Sequence, residues 1–114
     1  MKKIMCVFVP SLIFMMLCSC NDKLINMGKS DNGKYTSILW NDRTYTPFCV
    51  VSKGDCGKKI GCIDSNKYDI VSLYKDLSPE EWIANYLTMD GGAMLYKEIN
   101  VTDIPYGLER EYET

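Results

Sequence analysis

The chain has 114 residues, which is room for one domain, and its 13 basic and 15 acidic side chains give a formal net charge of −2. It contains no histidine. This excludes Ser-His-Asp and Cys-His nucleophilic catalysis, imidazole acid–base chemistry and every metal site with a histidine ligand. No basic cluster stands out, so nucleic-acid binding is not expected either.

The first twenty residues differ in composition from the rest. Lys2 and Lys3 precede an uncharged, apolar run over residues 4–17. As a helix this run would span roughly 21 Å, which is shorter than the ~30 Å hydrocarbon core of a membrane. It therefore predicts a signal peptide over residues 1–19 and not a permanent membrane span.

The apolar run ends in Leu17-Cys18-Ser19-Cys20, which resembles the lipobox of bacterial lipoproteins. The resemblance implies that the Cys20 thiol receives a diacylglycerol and that cleavage makes Cys20 the first residue of the mature protein. Two acyl chains anchor a protein stably, whereas one chain holds only marginally. We therefore expect an extracytoplasmic protein that is anchored to the cell membrane by lipidated Cys20. The alternatives are an ordinary secretory signal and a short signal anchor.

The next segment is polar. Residues 21–34 contain Asn and Gly and show no sustained hydrophobic period. With Cys20 they predict a flexible tether over residues 20–34. A small domain is then expected over residues 35–114.

Four strands are predicted in the first half of this domain. Residues 35–40 and 45–51 are rich in aromatic and β-branched side chains and flank the turn-prone residues 41–44, which indicates a β-hairpin. Residues 58–64 and 69–75 predict the third and fourth strands.

A helix is predicted next. Ser78, Pro79 and Glu81 stand at the N-cap, first and third positions of a capping box. The apolar residues that follow at helical spacing are Trp82, Ile83, Tyr86 and Leu87. Residues 93–99 predict a fifth strand. The predicted fold class is α+β, a small antiparallel sheet of four to five strands with one amphipathic helix packed on it.

The predicted domain contains Cys49, Cys56 and Cys62, whose spacing matches neither the cysteine pairs of structural zinc sites nor a Cys-x-x-Cys redox motif. If residues 45–51 and 58–64 paired as a hairpin, Cys49 would face Cys62 on the same side of the sheet. This favours a disulfide between them, with Cys56 as a free thiol at the hairpin tip. The alternative is that all three stay reduced and pack as small apolar side chains. No metal or cofactor is predicted.

Carboxylates are the remaining candidates for catalysis. They are Asp64, Asp69, Asp76, Glu80, Glu81 and Asp90. A glycosidase pair is defined by its separation across a cleft, and sequence spacing does not give that separation.

The predicted domain resembles small uncharacterised lipoproteins of Gram-positive gut bacteria. The shared runs are LW, Y-x-PF, G-x-x-IG, EW-I and LYKEINVTDIP. The resemblance implies no activity. We expect a non-enzymatic binding or interaction module on the membrane, with a protein or peptide partner. The alternatives are an immunity-type lipoprotein against a toxin or antimicrobial peptide, a carboxylate-based cell-wall hydrolase, and a thiol redox protein that would need an exposed Cys56 of lowered pKa.

Overall fold

The computed structural model describes residues 24–112, and this part of the chain forms a closed barrel of seven strands. The strands are β1 (Ile25–Asp31), β2 (Thr36–Trp40), β3 (Arg43–Ser52), β4 (Cys56–Ile63), β5 (Asn66–Tyr74), β6 (Trp82–Leu87) and β7 (Gly92–Glu98). Around the barrel they follow the order β1-β2-β3-β7-β6-β5-β4. All neighbours are antiparallel except β1 and β4, whose parallel pairing closes the barrel. The predicted signal peptide and Cys20 lie outside the described residues.

The α+β prediction is wrong, because the predicted amphipathic helix is strand β6. The capping residues form only one turn, in which Ser78 Oγ accepts from Glu80 N at 3.3 Å and Ser78 O accepts from Trp82 N at 2.9 Å. The chain then extends, and Trp82 to Tyr86 are all buried. A helix with one apolar stripe would leave part of this run in water, whereas a strand covered on both faces buries all of it.

Part of the predicted tether is a strand. Strand β1 lies within residues 20–34 and pairs with both β2 and β4. Only Met27 of this strand is buried. Ile25 and Met27 are the only large apolar side chains of β1, which is too few for an alternating pattern, so the sequence offered no clear strand signal here.

The predicted hairpin between residues 45–51 and 58–64, which form β3 and β4, is wrong as well. A short 3₁₀ helix, Lys53–Asp55, joins β3 to β4, but β3 pairs with β2 and β7 while β4 pairs with β1 and β5. Cys49 therefore lies opposite Leu95, and Cys62 lies opposite Ile70. The pairing on which the predicted Cys49–Cys62 disulfide depended is not formed, and both residues are buried free thiols.

Each strand contributes one buried side chain to the inside of the barrel. These seven residues, the interior cluster, are Met27, Ile38, Tyr45, Ile63, Val71, Ile83 and Tyr96. Tyr45 also donates its hydroxyl hydrogen to Pro79 O at 2.8 Å. Strands β1 and β4 approach each other closely where they pair, because a Cβ on Gly61 would lie only 2.7 Å from Ile25 O.

A second apolar cluster lies on the outside of the barrel. Ala84 and Leu95 are cross-strand partners and neighbour the interior pair Ile83 and Tyr96, so they face the opposite side of the sheet. This outer cluster comprises Phe48, Cys49, Tyr74, Trp82, Ala84 and Leu95. Residues 101–111, here called the strap, pack Val101 and Leu108 against it.

Candidate functional site at the mouth of the barrel

The barrel opens at the end where β6 leaves it and β7 enters. A cavity of about 520 Å³ at this mouth is lined by Lys29, Val50, Asp69, Asn85, Tyr86, Leu87, Asp90, Gly91, Gly92, Ala93 and Met94. Five strands contribute to it. The mouth therefore gathers residues from distant parts of the chain.

Three polar side chains occupy interior-facing positions at this mouth. Asn85 pairs with Val71 of the interior cluster, and Asp69 stands two residues before Val71, hence on the same face. Lys29 pairs with Ile38, also an interior residue. The interior-facing positions are therefore apolar inside the barrel and polar at this mouth, where they are Lys29, Asp69 and Asn85.

Asn85 is the best-fixed of these polar groups. Its side-chain amide donates to Asp69 Oδ1 at 2.8 Å and to Ile70 O at 2.9 Å. Both amide hydrogens are therefore used, and the remaining atom, Oδ1, is an acceptor. The residue is only 8% exposed, and among residues 24–112 its Oδ1 accepts no hydrogen bond. A buried acceptor without a donor is costly, so this atom favours a ligand that supplies one.

Lys29 and Asp69 form a loose ion pair beside Asn85. Lys29 Nζ lies 3.9 Å from Asp69 Oδ2, and the side chains are 27% and 18% exposed. That distance exceeds the 2.7–2.9 Å of a charge-assisted hydrogen bond. Both charges therefore retain hydrogen-bonding capacity toward a ligand.

The loop at the rim is held in place by a lysine from the 3₁₀ helix. Lys53 Nζ donates to Thr88 O at 2.7 Å and to Asp90 O at 3.1 Å, and it lies 4.8 Å from the ring centroid of Tyr86. These contacts fix the backbone that leads into β7.

A second polar groove lies at the opposite end of β7. It is lined by Glu80, Glu81, Glu98 and Asp103, together with Arg43, whose Nη2 lies 3.7 Å from Glu80 Oε2. Glu98 has a local role, because its two carboxylate oxygens accept from the backbone and side-chain amides of Asn100 at 2.8 and 3.2 Å. This groove therefore contains a turn-stabilising carboxylate and a partly exposed ion pair.

The structure divides the six candidate carboxylates among separate places. Asp69 and Asp90 line the mouth, and Glu80 and Glu81 line the opposite groove. Asp64 and Asp76 join neither group. The sequence patterns did not point to Lys29, which lies in the predicted tether, or to Asn85. The signal for Asn85 was a single amide inside the apolar run WIANYL.

The thiols do not form a reactive site. Cys56 is partly buried at the start of β4, and its Sγ donates to Ser52 O at 3.8 Å. Burial raises the pKa of Cys56, which outweighs the lowering effect of a hydrogen bond with Ser72. Burial and then the Glu111 carboxylate raise the pKa of Cys49. The redox hypothesis required a lowered pKa at Cys56, and this requirement is not met.

Within residues 24–112, no three Cys, Asp or Glu side chains are grouped so as to hold a metal ion. No helix in the same part of the chain is long and apolar enough to cross a membrane. Comparisons of the chain with protein-family models, with curated proteins and with solved structures find no match. The resemblance to bacterial lipoproteins therefore stays a prediction.

Proposed function

We propose that this protein is a small ligand-binding module, held outside the cell membrane by lipidated Cys20, and that the mouth of the barrel is its binding site. The observation that carries the proposal is the buried Asn85 Oδ1, which lines the mouth and has no donor among the described residues. Ligand sites in proteins typically combine an apolar wall with a few convergent polar groups of this kind.

The lining also indicates what the ligand offers. Asn85 Oδ1 and the carboxylates of Asp69 and Asp90 are acceptors, whereas Lys29 is the one charged donor of the lining. Val50 and Met94 add apolar surface. A peptide or an amine with an apolar side chain supplies the matching N–H groups and the matching apolar contact. This is the partner class that the sequence led us to expect.

The arrangement of Asp69 favours recognition over hydrolysis. A glycosidase needs one carboxyl group to transfer a proton and a second to attack or to activate water. Asp69 Oδ1 is bonded by Asn85, and Oδ2 faces Lys29. The carboxylate is thus fixed as an acceptor between two donors.

The binding site is tested by nuclear magnetic resonance on the ¹⁵N-labelled full chain. Titration with short peptides and with octylammonium should shift backbone amide signals around Lys29, Asp69, Asn85 and Met94. Asn85→Leu should weaken octylammonium binding about tenfold, because the buried acceptor for its N–H groups is lost. Lys29→Met should strengthen octylammonium binding, because a like charge beside Asp69 is removed. Lys34→Met is the matched control, because Lys34 is exposed and lies outside the lining. Shifts confined to other surfaces would refute the site.

The anchor is tested separately in cells. Palmitate labelling of the wild-type chain and its loss in Cys20→Ala are the expected results, because the lipobox cysteine accepts the lipid. Ser19→Ala, which keeps a small residue before the cysteine, should still be labelled. Equal labelling of the wild type and Cys20→Ala would rule out the proposed anchor without bearing on the mouth.

A further inference from the structure

Another groove, distinct from the mouth and from the polar groove at the opposite end of β7, lies between the strap and the outer cluster. Its volume is about 660 Å³, and its apolar wall consists of Phe48, Ile99, Val101, Ile104 and Leu108. Ile99 and Ile104 are more than a third exposed. The groove therefore presents apolar surface to solvent along the outside of the barrel.

A buried lysine lines this groove. Lys97 is 6% exposed, and its Nζ donates to Glu98 O at 3.0 Å and to Val101 O at 2.7 Å. These bonds use two of the three ammonium hydrogens. Lys97 forms no ion pair within residues 24–112, and the adjacent Glu98 directs both carboxylate oxygens to Asn100. The third hydrogen is thus left without an acceptor among residues 24–112, and Glu98 acts on the positive charge without forming an ion pair with it.

The surroundings of Lys97 disfavour its charge. Burial lowers the pKa of Lys97, Arg110 in the same lining lowers it further, and the Glu98 carboxylate raises it by a smaller amount. This is the response expected of an ammonium removed from water without full compensation.

We propose that this strap groove binds a carboxylate with an apolar chain, such as a medium-chain fatty acid. The carboxylate takes the third hydrogen of Lys97, and the chain lies along Ile99 and Ile104, because the Arg110 guanidinium lies over the Phe48 ring at 5.0 Å from its centroid. An anionic head balances the buried charge, while the tail covers the exposed apolar wall. The mouth has the opposite preference, because its unmatched groups are acceptors. The two sites therefore discriminate between octanoate and octylammonium.

The test is isothermal titration calorimetry of the full chain with octanoate. We expect saturable binding that weakens about tenfold or more in Lys97→Met, because the charge-assisted bond to the carboxylate is lost. Lys59→Met is the matched control, since Lys59 is exposed on β4 outside the groove, and it should bind as the wild type does. Circular dichroism shows whether each variant keeps its sheet.

A second variant leaves the buried lysine untouched in case Lys97→Met does not fold. Ile104→Glu places a carboxylate on an exposed part of the wall and should repel octanoate by a similar factor. Absence of octanoate binding up to millimolar concentration, equal affinity in both groove variants and the wild type, or competition by octylammonium would each overturn the proposal. Because these outcomes concern octanoate in the strap groove, they leave the result at the mouth unaffected.

Discussion

The interior cluster and the outer cluster are both buried, yet they are closed in different ways. The interior cluster takes one residue from every strand, and backbone pairing around the whole barrel encloses it. The outer cluster is covered by the strap, which Glu111 ties to β3: its N–H donates to Phe48 O at 2.7 Å, and its side-chain Oε1 accepts from Val50 N at 3.1 Å. Opening the interior requires the sheet to separate, whereas opening the outer cluster requires only the strap to leave. We therefore expect global stability to reside in the interior and local opening to begin at the strap.

The largest expected effect concerns the interior tyrosines at alkaline pH. Burial raises the pKa of both Tyr45 and Tyr96 from 10.0 to about 12. A group whose pKa is raised by folding contributes its full stability below its unfolded pKa, and that contribution is lost as pH rises through the folded value. The free energy of unfolding should thus be intact below pH 10 and fall by at most about 5 kcal/mol in total as pH rises through 12.

Urea unfolding between pH 8 and pH 12 measures this loss. A double Tyr45→Phe and Tyr96→Phe variant removes the ionisable groups and should flatten the alkaline fall, although it also loses the hydrogen bond to Pro79. Tyr106→Phe is the control, because Tyr106 is fully exposed. If the double variant lost stability with pH as steeply as the wild type, the interior tyrosines would not be the cause.

A smaller effect is expected where the barrel closes. Gly61→Ala would place a Cβ 2.7 Å from Ile25 O and 2.6 Å from Met27 Cε. The methionine can move, but the carbonyl belongs to the β1 backbone. Overpacking of this kind typically costs 1–3 kcal/mol, so we expect about 2 kcal/mol by urea unfolding. Gly28→Ala on β1 meets nothing within 4 Å and should change stability by less than about 1 kcal/mol. Equal effects of the two substitutions would mean that β1 does not close the barrel on β4.

The sequence was most informative where a pairing is local. The predicted hairpin is confirmed as β2 and β3, which pair Ile38 with Tyr45 around Asn41 and Asp42, both with positive φ. That turn has the geometry for which Asn and Asp are favoured. The predicted third, fourth and fifth strands are likewise strands in the structure, with ends that differ by up to three residues.

The nonlocal pairings could not be read from the sequence. Strand β7 inserts between β3 and β6, and β1 pairs in parallel with β4. The run WIANYL could bury Trp82 and Ile83 either as a helix or as a strand. It is a strand because β5 and β7 pair with it on its two sides. The mouth depends on these same pairings, so its acidic residues were candidates while their grouping with Lys29 and Asn85 was not foreseen.

The smallest predicted effect tests the strap itself. Leu108 packs against the outer cluster and, with Glu111, lines a groove that contains Cys49, which is almost fully buried. Leu108→Ala should favour opening of the strap by about 1 kcal/mol, because part of the buried apolar contact is lost. If alkylation proceeds through the opened strap, Cys49 should then react about fivefold faster at constant pH.

A Glu111 variant is unsuitable for this test, because removal of its charge would also lower the pKa of Cys49. Cys62 on β4 provides an internal reference, since it is buried away from the strap and its rate should not change. Acceleration of both thiols to the same degree would show that the outer cluster opens only when the barrel unfolds, and the two clusters would then be one cooperative unit.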